Sequence, residues 1–207
     1  MASVPLVDVK LRRRAFWAIF FIMQKVGVGV FSVLLFSLSL SGCVTRAPAV
    51  VAGGAPGGVA EAAIGDTKLV WRFEDERIYV ELGAPTNGWL GIAIEPAGGR
   101  GPAAVGKAQV IAGYIDEGRV VVRDDYGCES YAHCADVRLG GTDDLQDVAG
   151  EESLGWTEVR FSLPQRAADP YDVSIRPGEE YVVIVGYGML DRLESNHFAR
   201  YRIRITL

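Results

Sequence analysis

The chemistry-bearing residues of this 207-residue chain gather in two stretches. One is "DRLESNHFARYRIRITL" at the C-terminal end, which carries His197, one of two histidines, just before a run that alternates apolar and basic residues. An imidazole can ligate a metal, move a proton or accept a hydrogen bond. Ala199, Tyr201, Ile203, Ile205 and Leu207 form the apolar parity of a strand, with Arg200, Arg202 and Arg204 on the other. If that strand extends backwards, counting by two from Ala199 reaches His197, which then leans to the core side. There it needs a hydrogen bond or a metal.

The other stretch is "DDYGCESYAHCAD", with Cys128, His133 and Cys134. Two cysteines with five residues between them, in a domain read as exported, suit a loop-closing disulfide. The alternative is a metal site of Cys128, His133 and Cys134 with Asp124, Asp125 or Asp136. It lacks the close paired spacing of a zinc knuckle, and His133 then reads as a solvated neighbour. The stretch is not CxxCH, which excludes covalent haem attachment. The aspartate pairs at 124–125 and 143–144 offer oxygens to a hard cation such as calcium. Without a DxDxDG loop they read as solvated turn residues. No GxSxG nucleophile turn and no glycine-rich loop before a helix is present. The expectation is a module, not an enzyme acting alone.

Elements must position these residues, and the first forty-odd do not belong to them. "VFSVLLFSLSLSGC" is an apolar run closing on Leu40, Ser41, Gly42 and Cys43, the pattern of a bacterial lipoprotein signal peptide with Cys43 as the lipidated residue. Residues 16–40 are long enough to span a bilayer, but Gln24 and Lys25 interrupt them. A start at Met23 instead of Met1 would give a short basic region before the apolar run. Residues 1–43 are therefore read as leader, 44–65 as an Ala/Gly/Pro-rich tether, and 66–207 as the folded domain. Loss of residues 1–42 removes five basic residues and one acid, leaving 16 basic against 25 acidic. A net charge near −9 argues against a nucleic-acid partner. Val44, not an aspartate, follows the cysteine; by resemblance to Gram-negative lipoproteins this implies an outer-membrane anchor facing the periplasm.

From Thr67 the pattern has period two. In "KLVWRFE" Leu69, Trp71 and Phe73 share a face; in "RIYVEL" Ile78, Val80 and Leu82 do; in "TEVRFSL" Val159, Phe161 and Leu163 do. "GWLGIAIEP" and "EYVVIVGYG" are apolar on both parities, as strands covered on both faces are. Turn signals such as "APTNG", "IDEG", "LGG" and "RPGEE" separate the runs. An all-β, antiparallel, immunoglobulin-like sandwich follows.

The ordered blocks "NGWLGIAIEP", "AQVIAGYIDEGRVVVRDDYG", "GGTDDLQDVAGEESLGWTEVRFSLP", "YVVIVGYG" and "NHFARYRIRITL" resemble a DOMON domain. This is the β-sandwich module named after dopamine β-monooxygenase and related to the cytochrome domain of cellobiose dehydrogenase. Some members bind haem b, others are thought to bind sugars or other small ligands, so the fold leaves function open. In the haem-binding members a histidine before the last strand and a methionine ligate the iron from opposite sides. His197 occupies the histidine's place. Alignment of "AQVIAGY" with the family's "ADIVIG"-like strand puts Val105 at the methionine position, and valine cannot ligate. Met189 lies in the same connection as His197, and Lys107 is a nearby substitute of a type some members use.

The resemblance thus implies haem b on His197 with a nonstandard second ligand, five-coordinate haem, or none. Haem binding implies electron transfer with a redox partner protein. The rival is a sugar or small-ligand module using Trp89, Tyr114 or Tyr126 as a stacking platform, or a structural envelope role.

Overall fold

The computed structural model describes residues 58–98, 107–129 and 132–207. Cys43 and Val105 lie outside the described residues. The strands are β1 (Val59–Ile64), β2 (Thr67–Glu74), β3 (Arg77–Ala84), β4 (Leu90–Pro96), β5 (Gln109–Asp116) and β6 (Arg119–Glu129). They continue as β7 (Ala132–Ala135), β8 (Gln146–Ser153), β9 (Trp156–Pro164), β10 (Glu180–Tyr187) and β11 (Ala199–Thr206), with a one-turn helix α1 (Asp136–Leu139) after β7. Two antiparallel sheets result: β1-β2-β3-β9-β8 and β11-β10-β4-β5-β6-β7.

The period-two pattern sends one face of each sheet inward. Leu69, Trp71, Ile78, Val80, Leu82, Val159, Phe161 and Leu163 of the five-stranded sheet meet Leu90, Ile92, Ile94, Ile111, Val183 and Val185 of the six-stranded one. The strands apolar on both parities bury a second, outer face as well. There Ala93, Val110, Val182 and Ile184 form a separate cluster. That explains why "EYVVIVGYG" does not alternate. Sharp hairpins close the sheets: Glu117 (φ 49°) and Gly118 (φ 82°) join β5 to β6, both with the positive φ that a two-residue hairpin loop needs.

Three sequence-based expectations are corrected. Residues 59–64 are not tether but β1, paired with β2 from Val59↔Arg72 to Ile64↔Thr67. Its alternation was hidden because the inward residues are Ala60 and Ala62, which read as low-complexity sequence, followed by Ile64. The last strand begins at Ala199, so the parity count to His197 fails; His197 leaves the ladder and turns to the outer face. Asp124 and Asp125 are buried within β6 and are not solvated turn residues.

Cys128 and Cys134 are disulfide-bonded, pinning β7 to β6. Alkylation of the unreduced protein is expected to label neither, as read by mass spectrometry. Cys128→Ser with Cys134→Ser should lower unfolding stability in urea by about 2 kcal/mol, the expected value for so short a ring.

Candidate functional site

The outer face of the six-stranded sheet has as its floor one row whose centre is almost without side chains. Register places Arg200, Gly186, Gly91, Ala112 and Arg123 in one row across five strands. The next row is Arg202, Ile184, Ala93, Val110 and Asp125. Small residues at the centre let large rings lie close to the backbone. A Cβ at Gly186 would come 2.6 Å from Cδ2 of His197, and one at Gly188 would come 2.2 Å from Nε1 of Trp89. Both glycines are therefore fixed by the rings above them.

The connection after β10 is tied down along its length. Gly188 N–H donates to the Trp89 carbonyl (2.8 Å) and Trp89 N–H to that of Leu190 (3.1 Å). The Thr86 hydroxyl donates to the Gly188 carbonyl at 2.6 Å. Leu193 is buried against Trp89 and Ala112. The Trp89 indole N–H donates to Ser195 Oγ at 2.8 Å, and Arg123 Nη1 pairs with Glu194 at 3.0 Å. Phe198 N–H closes the loop onto the Tyr187 carbonyl. An eleven-residue excursion between two strands is thus held at six of its residues, and it delivers His197 onto the floor.

His197 lies over the floor with its residue surface exposed to solvent. Its ring meets Trp89 edge-on, centroids 4.8 Å apart at 77°. Among the described residues no hydrogen bond to the imidazole is formed. Burial lowers its pKa from the ordinary 6.5, and the charges of Arg200 and His133 lower it further. The ring is held in its neutral form, the form that ligates a metal.

The other expected residues separate. Met189 is in the same loop but points outward, 56% exposed. Lys107 is exposed at the entrance to β5, in a left-handed conformation (φ 73°). Trp89 is 3% exposed; it is a wall of the site and not an open stacking platform. Tyr114 packs beside it, whereas Tyr126 stacks on Tyr171 elsewhere. No metal site of Cys128, His133 and Cys134 forms, because both thiols are in the disulfide.

Sequence reasoning missed what His133 does. Its Nδ1 bonds the fully buried Asp125 carboxylate, which also accepts a fork from Arg123 at 2.6 and 2.8 Å. Burial alone would raise the Asp125 pKa, but the hydrogen bonds from His133 and Arg123 hold it below the usual carboxylate range. The only trace in the sequence was the parity that Asp125 shares with Arg123.

His197 is expected to titrate below pH 6.5 by NMR. A folded-state pKa depressed below the unfolded one stabilises the fold above about pH 6.5, and that contribution is lost as pH falls through the folded value. Gly186→Val should displace the ring and change the ring-current shift that Trp89 imposes on its protons.

A family model, "DOMON domain", matches residues 64–188. "Putative DBH-like monooxygenase protein 2" of Homo sapiens is 30% identical over 128 residues, 61% of this chain and 24% of that protein. The chain therefore spans about a quarter of that relative's length. The cytochrome domain of Myriococcum thermophilum cellobiose dehydrogenase superposes with a TM-score of 0.51 at 11% identity, over 68% of this chain and 74% of that one. The cytochrome b domain of pyranose dehydrogenase from Coprinopsis cinerea gives 0.49 at 9% identity, over 68% and 76%. At such identity the likeness to the cellobiose dehydrogenase domain is one of fold. The family match runs from β1 through β10 and covers well over half of the sequence: the chain belongs to the DOMON domain family.

Proposed function

We propose that the domain binds haem b on the outer face of the six-stranded sheet, where His197 would hold the iron, and that its function is electron transfer with a partner protein. The observation that carries this reading is an imidazole fixed between Gly186 and Trp89, neutral and without a hydrogen bond among the described residues. An imidazole fixed in position and open to solvent on one side is free to take a ligand without first breaking a protein hydrogen bond. Haem b would supply the one-electron iron couple.

The chain's own residues hold and shield. His197 would offer a nitrogen, Trp89 and Leu193 would wall one side of the site, and the row of small residues would give a flat floor. Arg200, Arg202 and Arg204 border the same face, a favourable setting for an anionic edge. The residues fit one side of the group. Met189 points outward, Val105 carries no ligating atom and Lys107 sits at the far entrance to β5, so the proposal assigns one protein ligand. Met189, Leu190 and Phe198, 56%, 57% and 68% exposed, lie in or next to this loop and offer an apolar contact to the redox partner. The lipid anchor at Cys43, and with it an outer-membrane position facing the periplasm, belongs to the same proposal.

A second reading, a redox-silent small-ligand module, is favoured by a different place. A groove of 490 Å³ on the five-stranded sheet is lined by Val59, Arg72, Tyr79, Glu81, Asp147 and Arg160, among others. Arg72 lies over the Tyr79 ring at 3.9 Å. Such charged and aromatic groups suit a polar ligand better than the closed Trp89 does.

The full chain, produced with haem supplied, should show a Soret band that shifts on dithionite, and His197→Ala should remove it while thermal unfolding stays cooperative. An unchanged band in the variant rejects His197 as ligand. A protein that stays colourless after haem titration rejects the reading, and sugars binding in the groove would then support the second.

A further inference from the structure

Three carboxylates converge where β6, α1 and the loop after β9 meet. Asp124 on β6 is 2% exposed and Asp136, the first residue of α1, is 0% exposed. Asp172 approaches from the loop and is only half-buried. One oxygen from each lies within 4.8 Å of the others. Most oxygens of the loop are satisfied: Asp172 accepts from the Ala168 and Asp169 N–H groups at 3.0 and 3.2 Å. The Gln109 amide, whose oxygen accepts from Val173 N–H, donates to both Asp124 (3.4 Å) and Asp172 (3.1 Å).

What remains is the anomaly. Oδ2 of Asp124 and both oxygens of Asp136 are buried with no hydrogen-bond partner among the described residues. Burying even one polar group unpaired is unfavourable, and burying two neighbouring carboxylates far more so. Native structures rarely leave such atoms without a partner, an ordered water or an ion. The charges acting on Asp124 come from Asp136, Asp172 and Asp143, and those on Asp136 from Asp172, Asp169, Asp125 and Asp143, all acidic. Without a counter-charge, desolvation first and these neighbours second push the two carboxyls up to about 8 and about 7.

We propose that Asp124, Asp136 and Asp172 form a calcium site that locks α1 and the 169–172 loop onto β6. An all-oxygen donor set excludes soft metals. Ca²⁺ takes carboxylates at about 2.3–2.6 Å in flexible geometry and gives up its waters, whereas Mg²⁺ sheds water reluctantly. Two ligands here are fully buried, so the cation that dehydrates is the one that fits. Gln109 orients the site by holding one oxygen each of Asp124 and Asp172. The half-buried Asp172 marks the side of entry. The site lies on the opposite face of β6 from Asp125, and it is independent of whether haem is bound.

The test uses the full chain stripped of cations with EDTA. Isothermal titration with CaCl₂ should show one ion per chain, with weaker binding of MgCl₂. Calcium at 1 mM should raise the melting temperature by roughly 5 °C. Asp136→Asn removes charge repulsion, so the cation-free variant should melt no lower than the cation-free wild type while calcium affinity falls at least about 10-fold. That pairing separates a lost ligand from a lost fold. No heat and no melting shift with calcium, unchanged calcium binding in Asp136→Asn, or Mg²⁺ binding as tightly as Ca²⁺ would each overturn the proposal.

Discussion

The six-stranded sheet has to be covered on both faces, and the rest of the molecule is arranged around that requirement. Its inner face meets the other sheet. Its outer face carries Val110, Val182 and Ile184, all below 7% exposed, which in water would be an adhesive surface. Over the upper part of that face the cover is the connection from β10 to β11, and it can lie flat only because Gly186, Gly91 and Ala112 form the floor. The same geometry that hides an apolar surface therefore brings Trp89, Leu193 and His197 together. A site grows out of a packing need, and the side chains set over the floor decide its chemistry.

Much of the fold was legible in the sequence because sandwich strands announce themselves by parity. β2, β3 and β9 alternate with polar partners outward, and β4 and β10 are apolar throughout because both of their faces are covered. β1 was not legible, since alanine on the inward parity gives no hydrophobic contrast against a background rich in alanine and glycine. Of the site, His197 stood out in the sequence as a rare residue before the last strand, but it was placed on the wrong face. Parity holds only inside a strand, and the ladder stops at Ala199. The position of the ring follows from an absent side chain at Gly186, eleven strand and loop positions earlier, which no local pattern around His197 reveals.

The pairing of Asp124 with Asp125 shows why the central stretch resisted a reading from sequence. Adjacent residues of a strand face opposite ways, so one dipeptide serves two sites. Asp125 turns outward beside Val110 and is neutralised by Arg123 and His133, whose hydrogen bonds outweigh the cost of its burial. Asp124 turns inward beside Ile111 and meets only Gln109 and more carboxylates. Sequence spacing treats the two alike. Only the pleat separates them.

The disulfide connects these two halves. By holding β7 against β6 it places His133 at the outer carboxylate and, two residues beyond Cys134, Asp136 at the inner one. β7 has only four residues and an irregular register with β6 between Tyr126 and Glu129, so its own ladder is a weak restraint. The cross-link supplies the missing rigidity at the point where two charged networks of opposite character pass through one strand. On this argument Cys128 and Cys134 act less as a general staple for the sandwich, whose large core does not depend on a ring of that size, than as the local clamp that keeps His133 and Asp136 on their respective faces.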